Sequence, residues 1–112
     1  MKKQAGKIAI IVLAVVLLVI WGFSSKPENI DVKVAKCIGE RADLYTVYGC
    51  SVCDRQEELF GNNSQYLTII NCVDDTKKCR EVGIETVPTW IVNGEKYVGF
   101  KSYEFVRAIT GC

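Results

Sequence analysis

Residues 8–25 carry no charged side chain, and every residue from Ile8 to Trp21 is apolar. A helix made from that run is hydrophobic all round, and a chain of 112 residues cannot bury such a helix inside a soluble core. At about 1.5 Å per residue the uncharged stretch spans roughly 27 Å. That is close to the roughly 30 Å hydrocarbon layer and longer than the usual core of a signal peptide. The expected structure is an uncleaved transmembrane anchor that meets the membrane through residues 8–23. Gly22-Phe23-Ser24 offers a small-x-small pattern that a signal peptidase could cut, and either reading exports the rest of the chain. Lys2, Lys3 and Lys7 stand on the short N-terminal side. The positive-inside bias therefore predicts a single pass of the plasma membrane, with a cytoplasmic N-terminus and the remainder extracytoplasmic.

This division implies three segments: a cytoplasmic stub and anchor over residues 1–25, a linker over 26–36, and a globular domain over 37–112. Pro27 turns the residue before it away from helix and so ends any continuation of the anchor. The whole chain has 14 basic and 13 acidic residues, but three of the basic ones precede the apolar run, so the exported part is mildly acidic. No basic stripe is present to hold phosphates, which argues against nucleic acid as a partner. There is no histidine. Serine or cysteine nucleophiles activated by imidazole are thereby excluded, as are histidine-liganded metal centres. The six cysteines point instead to an oxidising compartment, a metal cluster or redox chemistry.

Within the globular part, Leu44 to Tyr48 is rich in aromatic and β-branched residues and predicts a first strand. Cys50-Ser51-Val52-Cys53 comes next, and Val52, Cys53, Gln56, Leu59 and Phe60 recur at helical spacing until Gly61. Gly61 to Ser64 reads as a loop whose Asn62-Asn63-Ser64 sequon is compatible with export. Tyr66 to Ile70 predicts an interior strand, and Asp74 to Val82 a short helix. Thr89 to Val92, the Asn93-Gly94 turn and Lys96 to Phe100 form a hairpin, and Ser102 caps a last helix running through Ile109.

The order strand, helix, strand, short helix, hairpin, helix is that of a thioredoxin-type core, so the expected class is α/β with a β-α-β-α-β-β-α thioredoxin-like fold behind an N-terminal transmembrane helix. The more specific signal is a CxxC pair at a strand-to-helix junction with Val87-Pro88-Thr89 at the entry to the third strand. Only a thiolate attacks a disulfide, and the unpaired N–H groups and dipole at a helix start favour the thiolate. Cys50 at that start is the candidate nucleophile, and Cys53, one turn in, the resolving cysteine. Val87 and Pro88 would form the opposite wall of a substrate site, together with Gly49. A cis Val87-Pro88 bond would expose the Val87 backbone for strand-like pairing with an extended substrate. Two other uses of the cysteines stand beside this one. Cys50, Cys53, Cys72 and Cys79 could supply four thiolates to zinc, or all six cysteines could be structural staples. Haem attachment is excluded, because Asp54 stands where CxxCH needs histidine.

From about Cys37 to the end, the sequence resembles the thioredoxin-like domains fused to, or partnering, membrane disulfide-generating enzymes of the vitamin K epoxide reductase type. The resemblance is carried by Cys50, Cys53, Gln56, Glu58, Leu59, Phe60 and Gly61. It continues through Cys72, Cys79, Gly83-Ile84, Pro88-Thr89-Trp90, Asn93-Gly94, Tyr97, Gly99 and Thr110-Gly111-Cys112. It implies a disulfide oxidoreductase that exchanges disulfides with thiol- or disulfide-bearing substrate proteins through Cys50 and Cys53. Reoxidation would come from a quinone-linked partner of that type, and the domain itself would hold no metal or cofactor. It further implies a structural Cys72–Cys79 disulfide. Leu44 stands where thioredoxins have a buried acid, so the proton acceptor of that family is not evident here; Ser51-Val52 stand where related oxidants have Pro-His, and without that histidine a less oxidising pair is expected. Gly49 replaces a frequent tryptophan, which opens the site to bulkier partners.

In this fold the last strand runs parallel to the first, so the helix after it returns toward the end where the first strand begins. Cys112 closes that helix and Cys37 lies shortly before that strand, which predicts a Cys37–Cys112 staple; a mobile shuttle cysteine at the C-terminus is the rival. Reductase or isomerase action uses the same residues as oxidase action and differs only in potential and electron partner.

Overall fold

The computed structural model describes residues 2–22 and 31–112. Helix α1, Lys2–Gly22, contains the stretch Gln4–Gly22, which is long and apolar enough to cross a membrane and is not covered by any other part of the described chain. Phe23 and Ser24 of the candidate cleavage pattern, Pro27, and residues 26–30 of the expected linker lie outside the described residues.

The remainder of the expected 26–36 linker is corrected by the structure. Asp31 caps α2, Val32–Arg41, by accepting a hydrogen bond from Lys33 N at 3.0 Å. Ala35 and Ile38 are buried on one face of this helix and Val34 is half-buried beside them. Three apolar residues at helical spacing among charged ones make a weak periodicity signal, which tertiary burial turns into a stable helix. At Gly39 the helix passes so close to the following 3₁₀ segment that a Cβ would collide with the Tyr66 carbonyl oxygen.

Strand β1, Ala42–Thr46, leads through a short turn to α3, Ser51–Glu58. The expected loop after it is a 3₁₀ helix, Gly61–Tyr66, begun by Asn63 N donating to Phe60 O at 2.9 Å. Then come β2, Thr68–Asn71; α4, Thr76–Glu81; β3, Thr89–Val92; β4, Glu95–Val98; and α5, Tyr103–Thr110. Asp75 caps α4 and Ser102 caps α5 through side-chain acceptors. Asn93 and Gly94 both have positive φ, 51° and 79°, as a two-residue hairpin of the Asn-Gly kind requires.

The sheet order is β2-β1-β3-β4, with β1 parallel to β2, antiparallel to β3, and β3 antiparallel to β4. The strand expected in the interior, β2, is therefore an edge strand, and Thr68 and Ile69 are exposed. An apolar run reports that a face is covered; it carries no information about which strands flank it. Leu44 and Trp90 are paired across β1 and β3 and fully buried. They join Ile38, Ala42, Phe60, Leu67, Val92 and Val106 in one core. The Phe60 ring lies 6.1 Å from Trp90 and 5.8 Å from Tyr103, centroid to centroid, so α3 and α5 are seated on the same aromatic cluster.

Candidate active site

Strand register brings the candidate residues to one end of the sheet. Thr46, the last residue of β1, is level with Asn71 of β2, and Tyr45 is level with Thr89 of β3. The chain leaving β1 toward Cys50, the chain leaving β2 at Cys72, and the Val87-Pro88 segment entering β3 consequently share that end. Cys72 N donates to Thr46 O at 2.9 Å and extends the parallel ladder by one step.

Gly49, exposed and at φ +73°, turns the chain between β1 and α3. That left-handed conformation is where a glycine is needed. Cys50 is the N-cap of α3: its Sγ accepts from Cys53 N at 3.2 Å, and its carbonyl accepts from Asp54 N at 3.0 Å. The sulfur thus sits where a helix start offers unpaired N–H groups and favours negative charge. Cys50 is half-exposed, whereas Cys53 is 1% exposed. The two are disulfide-bonded with Cα atoms 5.2 Å apart.

Val87-Pro88 is a cis peptide, with Val87 half-buried and Pro88 buried. Pro88 O accepts from Gly99 N at 2.8 Å, and Thr89 Oγ1 donates to Thr86 O at 2.7 Å, so the segment is held from both sides. Cys72 and Cys79 are bonded to each other, with Cα atoms 5.7 Å apart. Cys37 and Cys112 are bonded, at 5.9 Å, and join the C-terminal half of α2 to the chain just past α5. Among the described residues no three metal-ligating side chains converge, and the four cysteines of the zinc alternative stand as two bonded pairs.

The surroundings of the motif are apolar below and acidic outside. Leu44 and Trp90 are fully buried in the core, and the Trp90 indole N–H has no hydrogen-bond partner among the described residues. On α3, burial and then the neighbouring Asp54 charge push the Glu57 carboxyl above its usual range. Two supporting contacts are not legible in the residue pattern. Tyr48, exposed just before Gly49, donates its hydroxyl to Asp74, linking the turn before Cys50 to the turn after Cys72. That hydrogen bond, followed by desolvation and the Asp74 charge, raises the Tyr48 pKa above 10. Gln56, fully buried, holds the backbone of Lys101 with both ends of its amide. Its position one turn beyond Cys53 on the apolar face of α3 is the available signal.

This combination of sheet order, helix placement and a bonded CxxC pair at a helix start defines a thioredoxin-like domain, preceded in the chain by an apolar helix able to span a membrane. The chain is similar to the thiol-disulfide oxidoreductase LTO1 of Arabidopsis thaliana, with 33% identity over 79 residues. That match covers 62% of this chain and spans only 21% of the relative's length. Among solved structures it is similar in fold to the NTD_N/C domain of alkylhydroperoxide reductase AhpF from Enterococcus faecalis (V583). The TM-score is 0.51 at 14% identity, covering 84% of this chain and 51% of that one. No family model matches the chain.

Proposed function

We propose that the protein is a membrane-anchored, extracytoplasmic thiol-disulfide oxidoreductase whose Cys50–Cys53 pair exchanges disulfides with substrate proteins. The carrying observation is the bonded pair itself. One sulfur is half-exposed at the start of α3 and the other is buried behind it, in a domain similar to a thiol-disulfide oxidoreductase.

In the oxidising direction a substrate thiolate attacks Cys50 Sγ. The Cys50–Cys53 bond breaks, a mixed disulfide forms at Cys50, and Cys53 leaves as a thiolate that takes up a proton. A second substrate thiolate then attacks the substrate sulfur of the mixed disulfide, releasing Cys50 as a thiolate. Two electrons have passed to the domain and the substrate carries a new disulfide. The reverse sequence, with Cys50 attacking and Cys53 resolving, reduces a substrate disulfide. Gly49 leaves the approach to Cys50 open, and the backbone of Val87 beside Pro88 pairs with the extended substrate.

The resemblance to domains that work with vitamin K epoxide reductase-type enzymes supports a quinone-linked membrane partner as the source of oxidising equivalents. The anchor, with Lys2, Lys3 and Lys7 on the cytoplasmic side of the plasma membrane, supports placing the domain from Asp31 onward outside. Cys72–Cys79 and Cys37–Cys112 serve as staples.

Equilibrating the protein with graded glutathione buffers tests the reading. Cys50–Cys53 is expected to open at a potential above about −300 mV while the two staples stay closed. Opening of all three only below that value would leave a stapled domain with no exchange chemistry. A Cys53→Ala variant is expected to accumulate mixed disulfides through Cys50, visible on non-reducing gels and lost on reduction.

A further inference from the structure

Gln56 is fully buried on the face of α3 that also buries Cys53. An amide in such surroundings is costly unless both of its ends are hydrogen-bonded. Here both are satisfied by one residue: Oε1 accepts from Lys101 N at 2.7 Å, and Nε2 donates to Lys101 O at 2.9 Å. Two residues earlier, Gly99 N donates to Pro88 O at 2.8 Å. A short series of hydrogen bonds therefore leads from the helix that carries Cys50 and Cys53, through the connection between β4 and α5, to the entry of β3. An apolar side chain of similar length would fill the same space but leave the Lys101 N–H and C=O unpaired. The amide thus holds a connection in place, beyond filling a volume.

The geometry points to Gln56 as a positioning residue for polypeptide substrates: through the Gly99–Lys101 connection it sets the spacing between the Cys50–Cys53 pair and the Val87-Pro88 wall. The inference rests on the exchange reaction proposed above and adds to it a residue that touches neither sulfur nor substrate. A small thiol such as glutathione needs only access to Cys50. An extended peptide must meet the sulfur and the Val87 backbone at once, so loosening the brace acts on the peptide selectively.

The test compares full-length wild type, Gln56→Met and Gln56→Glu in detergent, each following oxidation of a dithiol peptide and of glutathione. For Gln56→Met the second-order rate constant for the peptide, read in a single turnover of the disulfide-bonded protein, is expected to fall about tenfold, while that for glutathione stays within about twofold. In Gln56→Glu a protonated carboxyl offers a donor and an acceptor where the amide had them. Its peptide-to-glutathione ratio should approach that of wild type at acidic pH and fall as the carboxyl ionises. Hydrogen exchange at Lys101 reports whether the brace has opened in a folded protein. An opened Lys101 amide with an unchanged ratio overturns the inference, as does an equal fall in both rates, or a Gln56→Glu ratio with no pH dependence. A wild type that exchanges with neither substrate removes the proposed reaction itself, and this inference with it.

Discussion

Tyr48 and Gly39 illustrate how much single residues contribute without taking part in any exchange. The Tyr48 hydroxyl donates to Asp74, which stabilises the neutral phenol, so its folded pKa lies above 10. The contribution to stability is fully present below the unfolded value near 10 and is lost as the pH rises through the folded value. Asp74→Asn removes the charge and weakens the acceptor, so the Tyr48 pKa is expected to move back toward 10, measured by NMR titration of ring-labelled tyrosine. An unmoved titration would mean that the contact is not kept in solution. At Gly39 two effects oppose each other. Alanine gains about 1 kcal/mol of helix propensity over glycine. The added Cβ, however, meets the Tyr66 carbonyl, a backbone group that cannot swing away, and overpacking of that kind costs about 1–3 kcal/mol. Gly39→Ala is therefore expected to lower the urea midpoint. A raised midpoint would show that α2 can slide off the 3₁₀ helix.

At the scale of elements, what is legible from the residues depends on how local its cause is. The Asn93-Gly94 hairpin, the Ser102 cap and the helix after Cys50 arise from neighbours within a few positions, and they lie where the pattern places them. Helix α2 begins in a stretch that reads as linker because its apolar positions are few, and packing on the 3₁₀ helix and α5 holds it in the domain. Strand β2 begins at Thr68, although the apolar pattern begins at Tyr66, because Tyr66 is drawn into the 3₁₀ helix that starts at Gly61. The candidate site divides in the same way. Cys50 and Cys53 stand out through spacing at a strand-to-helix junction. The tie between Gln56 and Lys101 joins residues 45 apart in sequence, a separation that no short window captures.

For the whole molecule, the described domain is small, and a single core of that size stabilises it only modestly. The two staples differ in the loop they close. Cys37–Cys112 spans a separation of 75 residues and Cys72–Cys79 one of 7. Loop-closure entropy assigns about 4.5 kcal/mol to the first and about 2.5 kcal/mol to the second. The Cys37→Ala/Cys112→Ala double variant should therefore lose more stability than Cys72→Ala/Cys79→Ala in urea unfolding followed by tryptophan fluorescence. The opposite ranking would show that the terminal staple contributes little beyond what α2 and α5 already hold by packing.

The sequence alone determined the apolar run before residue 26, the CxxC pair at a helix start, the proline before β3 and the Asn-Gly turn. Each depends on the chemistry of a few adjacent side chains. Tertiary structure alone decided that β2 lies at an edge, that α2 belongs to the domain, and that Gln56 spans from α3 to Lys101. Those outcomes depend on which surfaces meet after the chain has closed on itself. Burial and long-range pairing select them together, and no local stretch of residues encodes them separately.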